Sequence, residues 1–248
     1  MSDSAWRFVK FGLIVTGDTE AQHLPMLFRS LTKLGTCYFE VIRQIGQRSP
    51  ITSDKKKLKM VGSGQTIPNR DEEEIGLEAR RRLNENIDYV LLIDDLEQDR
   101  RDQATEVFNR YRLALDTMLS QEKHRASVHF LVNMLEAYYF ADASAVNSVL
   151  GTSLEDCDYD VEEIPHPKNK LKAIYQGFEE LEHGGQILAC LDTEKVLSNP
   201  DTCASLRTLF AWCWQCLHQP RTDQYQLLNG KLSSITQIQL SQDSWRGT

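Results

Sequence analysis

Carboxylates gather at the ends of two apolar runs in this chain. Phe11-Gly12-Leu13-Ile14-Val15 leads into Thr16-Gly17-Asp18-Thr19-Glu20, and Tyr89-Val90-Leu91-Leu92-Ile93 leads into Asp94-Asp95-Leu96-Glu97. Neighbouring carboxylates repel unless a cation holds them, and hard divalent ions such as Mg²⁺ prefer oxygen ligands. The chemistry to expect is a metal site that activates water and clamps phosphate. The structural alternative for Asp94, Asp95 and Glu97 is a charged loop that caps the next helix. For Glu20 it is an early helix acid at the positive end of the helix dipole.

A third acid, Glu136, follows another apolar run, Ser127-Val128-His129-Phe130-Leu131-Val132, and is flanked by Leu135 and Ala137. An acid in such a setting needs a partner, either a metal or an arginine. Lys168, after Pro165 and Pro167, is a candidate phosphate contact or a solvated helix lysine. His129 alternates with apolar neighbours and reads as a core histidine; His23 and His166 are weaker acid or base candidates. No serine nucleophile elbow, P-loop lysine motif or dinucleotide-binding glycine fingerprint competes, and Gly62-Ser63-Gly64 is too short to be one.

The elements that must position these groups alternate in type. A buried parallel strand reads as a continuous hydrophobic run, and open α/β sheets bind ligands at the carboxyl ends of strands. Strands are expected near 11–15, 36–45, 88–93 and 127–132. Helical spacing links Leu24, Leu27, Phe28, Leu31 and Leu34, then Ile75, Ala79 and Leu83, then Ala104, Val107, Phe108, Tyr111, Leu115, Met118 and Leu119 within 99–121. Pro25 fits only the first turn or so of a helix. Residues 49–74 are polar and read as a long irregular stretch.

Alternating strands and helices define the α/β class with a mostly parallel sheet flanked by helices. The character changes near 151, where an acidic linker (155–163) precedes helices expected at 168–182, 193–198 and 201–218. The organisation expected is an α/β core over 8–150, a helical C-terminal cap over 151–228 and a polar, fraying tail over 229–248.

Composition sets bounds on function. Of 248 residues, 41% are hydrophobic and 26% charged, as in ordinary globular proteins. No stretch is long and apolar enough for a membrane span, and the start resembles neither a signal nor a transit peptide, so the cytoplasm is expected. Six dispersed cysteines read as reduced thiols, and Cys213-Trp214-Gln215-Cys216 lacks the second ligand pair that zinc needs. A net charge of −8 argues against general coating of nucleic acid. It leaves room for a nuclease whose basic rim comes from Lys55-Lys56-Lys57 with Lys59, Arg80-Arg81-Arg82, Arg100-Arg101 or Lys168/Lys170/Lys172, each of which also reads as a solvated face.

Gly17-Asp18-Thr19-Glu20 before an apolar helix resembles the first motif of Toprim-fold proteins, notably nucleases of the overcoming-lysogenization-defect type. Asp94-Asp95-Leu96-Glu97 resembles the Toprim acidic motif. With Leu135-Glu136-Ala137-Tyr138-Tyr139-Phe140-Ala141-Asp142, Pro167-Lys168 with Leu171, and His183-Gly184-Gly185 leading to Val196-Leu197 and Pro200, the order is similar to the Toprim-like domain-of-unknown-function 4276 family. That group is often associated with ABC-type ATPases in bacterial antiphage defence. The resemblance implies a Toprim-like sheet and Mg²⁺ or Mn²⁺ held by Glu20, Asp94, Asp95, Glu97 and Glu136. It also implies catalytic roles for Glu20, Asp95, Glu97 and Lys168, a DNA or RNA substrate, and an ABC-type ATPase partner. Two positions depart from the family: Thr16 stands where a Glu is usual, and Asp95-x-Glu97 replaces Asp-x-Asp. Threonine supplies no charge, which favours the alternative of a catalytically reduced subunit that binds an ATPase or nucleic acid without cleavage. A receiver-like phosphoacceptor domain is a third reading, disfavoured by the long first loop and the extra C-terminal helices.

Overall fold

The first apolar run forms strand β1 (Val9–Val15), in which six of the seven residues are buried. The chain then turns into helix α1 (Asp18–His23), a 3-10 turn (Leu24–Phe28) and helix α2 (Arg29–Thr32). The single helix expected here is divided because Pro25 has no N–H to donate and cannot sit in a helix interior. Strand β2 (Cys37–Gln44) returns alongside β1. The computed structural model describes residues 7–33, 35–49, 58–60, 66–68, 70–217, 225–228 and 231–234. Within the stretch expected to be irregular, β3 (Leu58–Met60) and β4 (Thr66–Pro68) pair antiparallel; Lys55–Lys57 and Gly62–Gly64 lie outside the described residues.

Helix α3 (Arg70–Glu85) buries the expected stripe of Ile75, Ala79 and Leu83 and leads into β5 (Tyr89–Leu96). A 3-10 turn (Gln98–Gln103) precedes helix α4 (Ala104–Leu119), whose buried face carries Val107, Tyr111, Ala114, Leu115 and Leu119. Helices α3 and α4 pack so closely that a Cβ on Gly76 would lie 2.6 Å from the Ala114 carbonyl oxygen. Strand β6 (Ala126–Val132) completes a four-stranded parallel sheet with the order β2-β1-β5-β6, flanked by helices: the expected α/β class. In register, Val15 faces Ile93, so the residues just beyond β1 and within the end of β5 share one edge. Stacked rings of Phe28, Phe39 and Phe11, at 4.1 and 4.5 Å between neighbouring centroids, fill the core beside β1 and β2.

The chain divides into two compact units, Met1–Val128 and His129–Thr248, so the border falls within β6 rather than near residue 151. The reason is packing. The 3-10 turn Leu135–Ala141 packs on the turn Val161–Glu163 and on helix α6 (Pro167–Ile174), while α5 (Ala143–Leu150) packs on α7 (Gly185–Cys190). A one-turn π-helix (Glu180–Gly184) stands before α7 where a continuation of the 168–182 helix was expected. Helices α8 (Thr193–Ser198) and α9 (Ala204–Cys216) follow as expected, α9 burying Leu206, Leu209, Phe210 and Cys213.

Strands β7 (Tyr225–Leu228) and β8 (Lys231–Ser234) then pair antiparallel, so the expected fraying tail contains a strand. Asn229-Gly230 between them is a hairpin signal in the sequence itself. All six cysteines are free thiols, and burial pushes Cys203 and Cys216 up to about 12. Among the described residues no helix is long and apolar enough to cross a membrane.

Candidate functional site

The parallel pairing of β1 with β5 sets the site. One residue beyond the Val15–Ile93 pair, the Thr16 hydroxyl donates to Asp94 Oδ1 at 2.8 Å. Two strand ends are thereby tied at the edge where α/β sheets meet ligands. Glu20, in the first turn of α1, is buried at 3% exposure and folds back toward that turn. A Cβ on Gly17 would lie 1.8 Å from Glu20 Oε2, so a larger residue there would oblige the Glu20 carboxylate to turn aside.

Asp94 is fully buried and its two oxygens are engaged. Beside Thr16, the Tyr111 hydroxyl donates to Oδ2 at 2.9 Å and Arg100 Nη2 donates to the same oxygen at 2.8 Å. Arg100 also reaches two backbone carbonyls: that of Asp95 at 2.6 Å through Nη1 and that of Arg48 at 2.9 Å through Nη2. The Arg48 N–H in turn donates to the Tyr111 oxygen at 3.0 Å, and Gln47 Nε2 donates to the Asp95 carbonyl at 3.3 Å. The segment after β2 is thus pinned to the end of β5 by side chains from α4 and its preceding turn. Burial disfavours charge on Arg100, but its hydrogen bond and proximity to Asp94 outweigh this and raise its affinity for the proton. Burial, reinforced by the Asp94 charge, raises the Tyr111 phenol as well.

The expected residues divide as follows. Glu20, Asp94, Asp95 and Glu97 all lie in the first unit, Asp95 buried and Glu97 partly exposed just before the 3-10 turn. Glu136 and Lys168 lie in the second. Glu136 is buried in the 3-10 turn that follows Asn133 and Met134, both at positive φ (56° and 74°). Lys168 pairs with Glu180, which Lys172 approaches at 3.8 Å. His129 is buried and, as expected, behaves as a core residue: burial lowers its pKa to about 3, and it meets the edge of Trp212 at 6.1 Å.

Much of the basic character is consumed internally. Arg81 and Arg82 pair with Glu78 and Glu85, and Arg43 and Arg48 with Glu74. Arg101 and Arg80 are exposed. The residues that hold Asp94 were not legible as site residues. Arg100 reads only as part of a basic pair and Tyr111 as one apolar position of an amphipathic helix. Nothing in their spacing reveals a common target.

Among the described residues, no group of three or more His, Cys, Asp or Glu side chains is gathered as a metal cage. Mg²⁺ is commonly held by one or two carboxylates and completed by water and substrate phosphate, so carboxylate oxygen is the donor type such an ion selects. Glu20, Asp95 and Glu97 offer such hard oxygens at the strand ends, whereas Asp94 is already occupied by Arg100. Compared with known proteins, the chain matches no family model, no curated protein and no solved structure.

Proposed function

We propose that this protein is a Toprim-like, divalent-metal-dependent nuclease that hydrolyses phosphodiester bonds in DNA or RNA. In this reading it is cytoplasmic and serves as the effector beside an ABC-type ATPase, in the manner of antiphage defence systems. The observation that supports it best is the parallel β1–β5 pairing, which brings the turn bearing Glu20 and the Asp94–Glu97 segment to one sheet edge. Glu20, Asp95 and Glu97 would hold Mg²⁺ or Mn²⁺, all three of them in the first unit. When bound, the metal supplies an activated water and charge neutralisation at phosphate. Asp94 serves as the buried anchor that keeps the two strand ends together. Arg101, exposed just beyond Glu97, is suited to contact the phosphate backbone, which dominates affinity in nucleic-acid binding.

A second reading, a reduced subunit that binds an ATPase or nucleic acid without cutting, has its own support. Thr16 and Asp94 satisfy one another, and Arg100 neutralises the buried charge with no metal required. Calorimetric titration with Mn²⁺ separates the two readings, comparing the natural protein with Asp95→Ala and Glu97→Ala. Binding that is lost in both variants, together with Mn²⁺-dependent cleavage of DNA or transfer RNA, is the expected result. No binding at millimolar Mn²⁺ would favour the non-cleaving subunit.

A further inference from the structure

We infer that Glu162 is a proton-operated latch on the turn at Asn133 and Met134 beyond β6, closed while its carboxyl group keeps a proton and released when it ionises. The latch lies wholly in the second unit and stands apart from the metal reading of the first. Met134 has φ 74° and ψ 164°, a conformation that glycine alone adopts without strain, and Asn133 before it is also at positive φ. Strained backbone of this kind persists only where its surroundings over-determine it. Here Glu162 is the common anchor. The Val132 N–H donates to the Tyr138 oxygen at 3.1 Å, and the Tyr138 hydroxyl donates to Glu162 Oε1 at 3.0 Å. Asn133 Nδ2 donates to the Glu162 carbonyl at 2.6 Å. The side chain and main chain of one residue therefore hold both sides of the strained turn.

The anchor is sensitive to charge because the donors to its carboxyl group are neutral: the Tyr138 hydroxyl, the Ser205 N–H at 2.8 Å and the Ser205 hydroxyl at 3.2 Å. Arg207, the cation of the same helix α9, donates instead to the carbonyls of Asn199 and Pro200. Asp160 adds a negative charge beside Glu162, its Oδ1 accepting from the Glu162 N–H, the Thr202 hydroxyl and the Cys203 N–H. The Cys203 thiol, pushed up to about 12, and the Tyr138 phenol, raised well above its ordinary value, stay neutral where a carboxyl titrates. The first turn of α9 favours a nearby anion, but Asp160 already caps it, and burial with the Asp160 charge raises the Glu162 pKa. A carboxyl raised in this way supports the closed form at low pH, and that support is lost as pH rises through the raised value. Opening would hydrate the carboxylate, free Asn133 and Tyr138, and let Met134 relax.

The test is deuterium exchange of the Val132 amide in the whole chain, expressed as protection so that the intrinsic pH dependence of exchange is removed. The natural protein is compared with Glu162→Gln and Met134→Gly. Between about pH 5 and about pH 8 the natural protein is expected to lose at least about fivefold in protection, while Glu162→Gln stays level. Level protection in the natural protein, or an equal fall in Glu162→Gln, overturns the inference. Met134→Gly is expected to raise protection at both ends of that range, because glycine removes the strain that favours opening. Lowered protection, the usual effect of a freer glycine backbone, refutes the strained turn. Should Glu162→Gln fail to fold, the carboxyl carbon resonance of Glu162 in the natural protein takes its place. A fall in Val132 protection that levels off where that resonance titrates supports the latch, and a fall that ignores that titration refutes it.

Discussion

Two buried carboxylates, one in each unit, are held in opposite ways. Asp94 in the first unit faces a guanidinium as well as the Thr16 and Tyr111 hydroxyls. Glu162 in the second accepts from the Tyr138 hydroxyl at 3.0 Å, the Ser205 N–H at 2.8 Å and the Ser205 hydroxyl at 3.2 Å, all of them neutral donors. The consequence is visible in proton affinity. Burial, with the Asp160 charge adding to it, raises the Glu162 pKa above the ordinary carboxylate range despite those hydrogen bonds. A buried acid is therefore not a site by virtue of burial. Asp94 sits in an environment built for a cation, Glu162 in one that tolerates the neutral acid.

Removing the carboxylate at the first of these should do the most damage. Asp94→Ala strands Arg100 in a largely buried position and should cost about 3–5 kcal/mol, as breaking a buried ion pair generally does, read from urea unfolding. A loss below about 1 kcal/mol, the range of exposed pairs, would break the comparison by showing that Arg100 does not depend on Asp94.

Tyr111→Phe is the next smaller change. It removes one donor to Asp94 and leaves the Arg48 N–H without this acceptor. The expected loss is about 1–2 kcal/mol by the same measurement, with the Arg48 amide exchanging faster with deuterium.

Glu162→Gln should do least, because the amide keeps an acceptor for Tyr138 and the Ser205 N–H and can donate to the Ser205 hydroxyl. Its signature is in pH dependence. A carboxyl whose pKa is raised in the folded state contributes stability at low pH, which is lost as pH rises from the ordinary glutamate range through the raised value. The natural protein should lose that contribution on going from acid toward neutral pH, while Glu162→Gln lacks this component. Identical pH–stability curves for the two proteins would show that the fold does not raise the Glu162 pKa and would erase the contrast.

The strands of the main sheet, the stripe of Ile75, Ala79 and Leu83, and the presence of helix α9 were legible because each follows from local periodicity and burial. So was the concentration of acids at two strand ends. Less was legible where backbone chemistry acts locally but subtly. Pro25 divides one expected helix, the short hairpin of β7 and β8 lies in a stretch whose composition is otherwise polar, and Asn133 and Met134 adopt positive φ that their local sequence does not announce. The division of the chain escaped the sequence as well, since the acidic linker is conspicuous in composition whereas the packing of 135–150 on later helices is not.

The order of residues along the chain determined the strands, their flanking helices and which acids follow them, because hydrophobic periodicity and continuous apolar runs are written in neighbours. Only the tertiary structure decided what those acids meet. Arg100 follows Asp94 by six residues, while Tyr111 follows by seventeen and Thr16 lies seventy-eight away. Their convergence on one carboxylate depends on the register of β1 with β5 and on the docking of α4. Those are contacts at a distance, and a low-dielectric interior then makes each of them count far more than the same charges would in water.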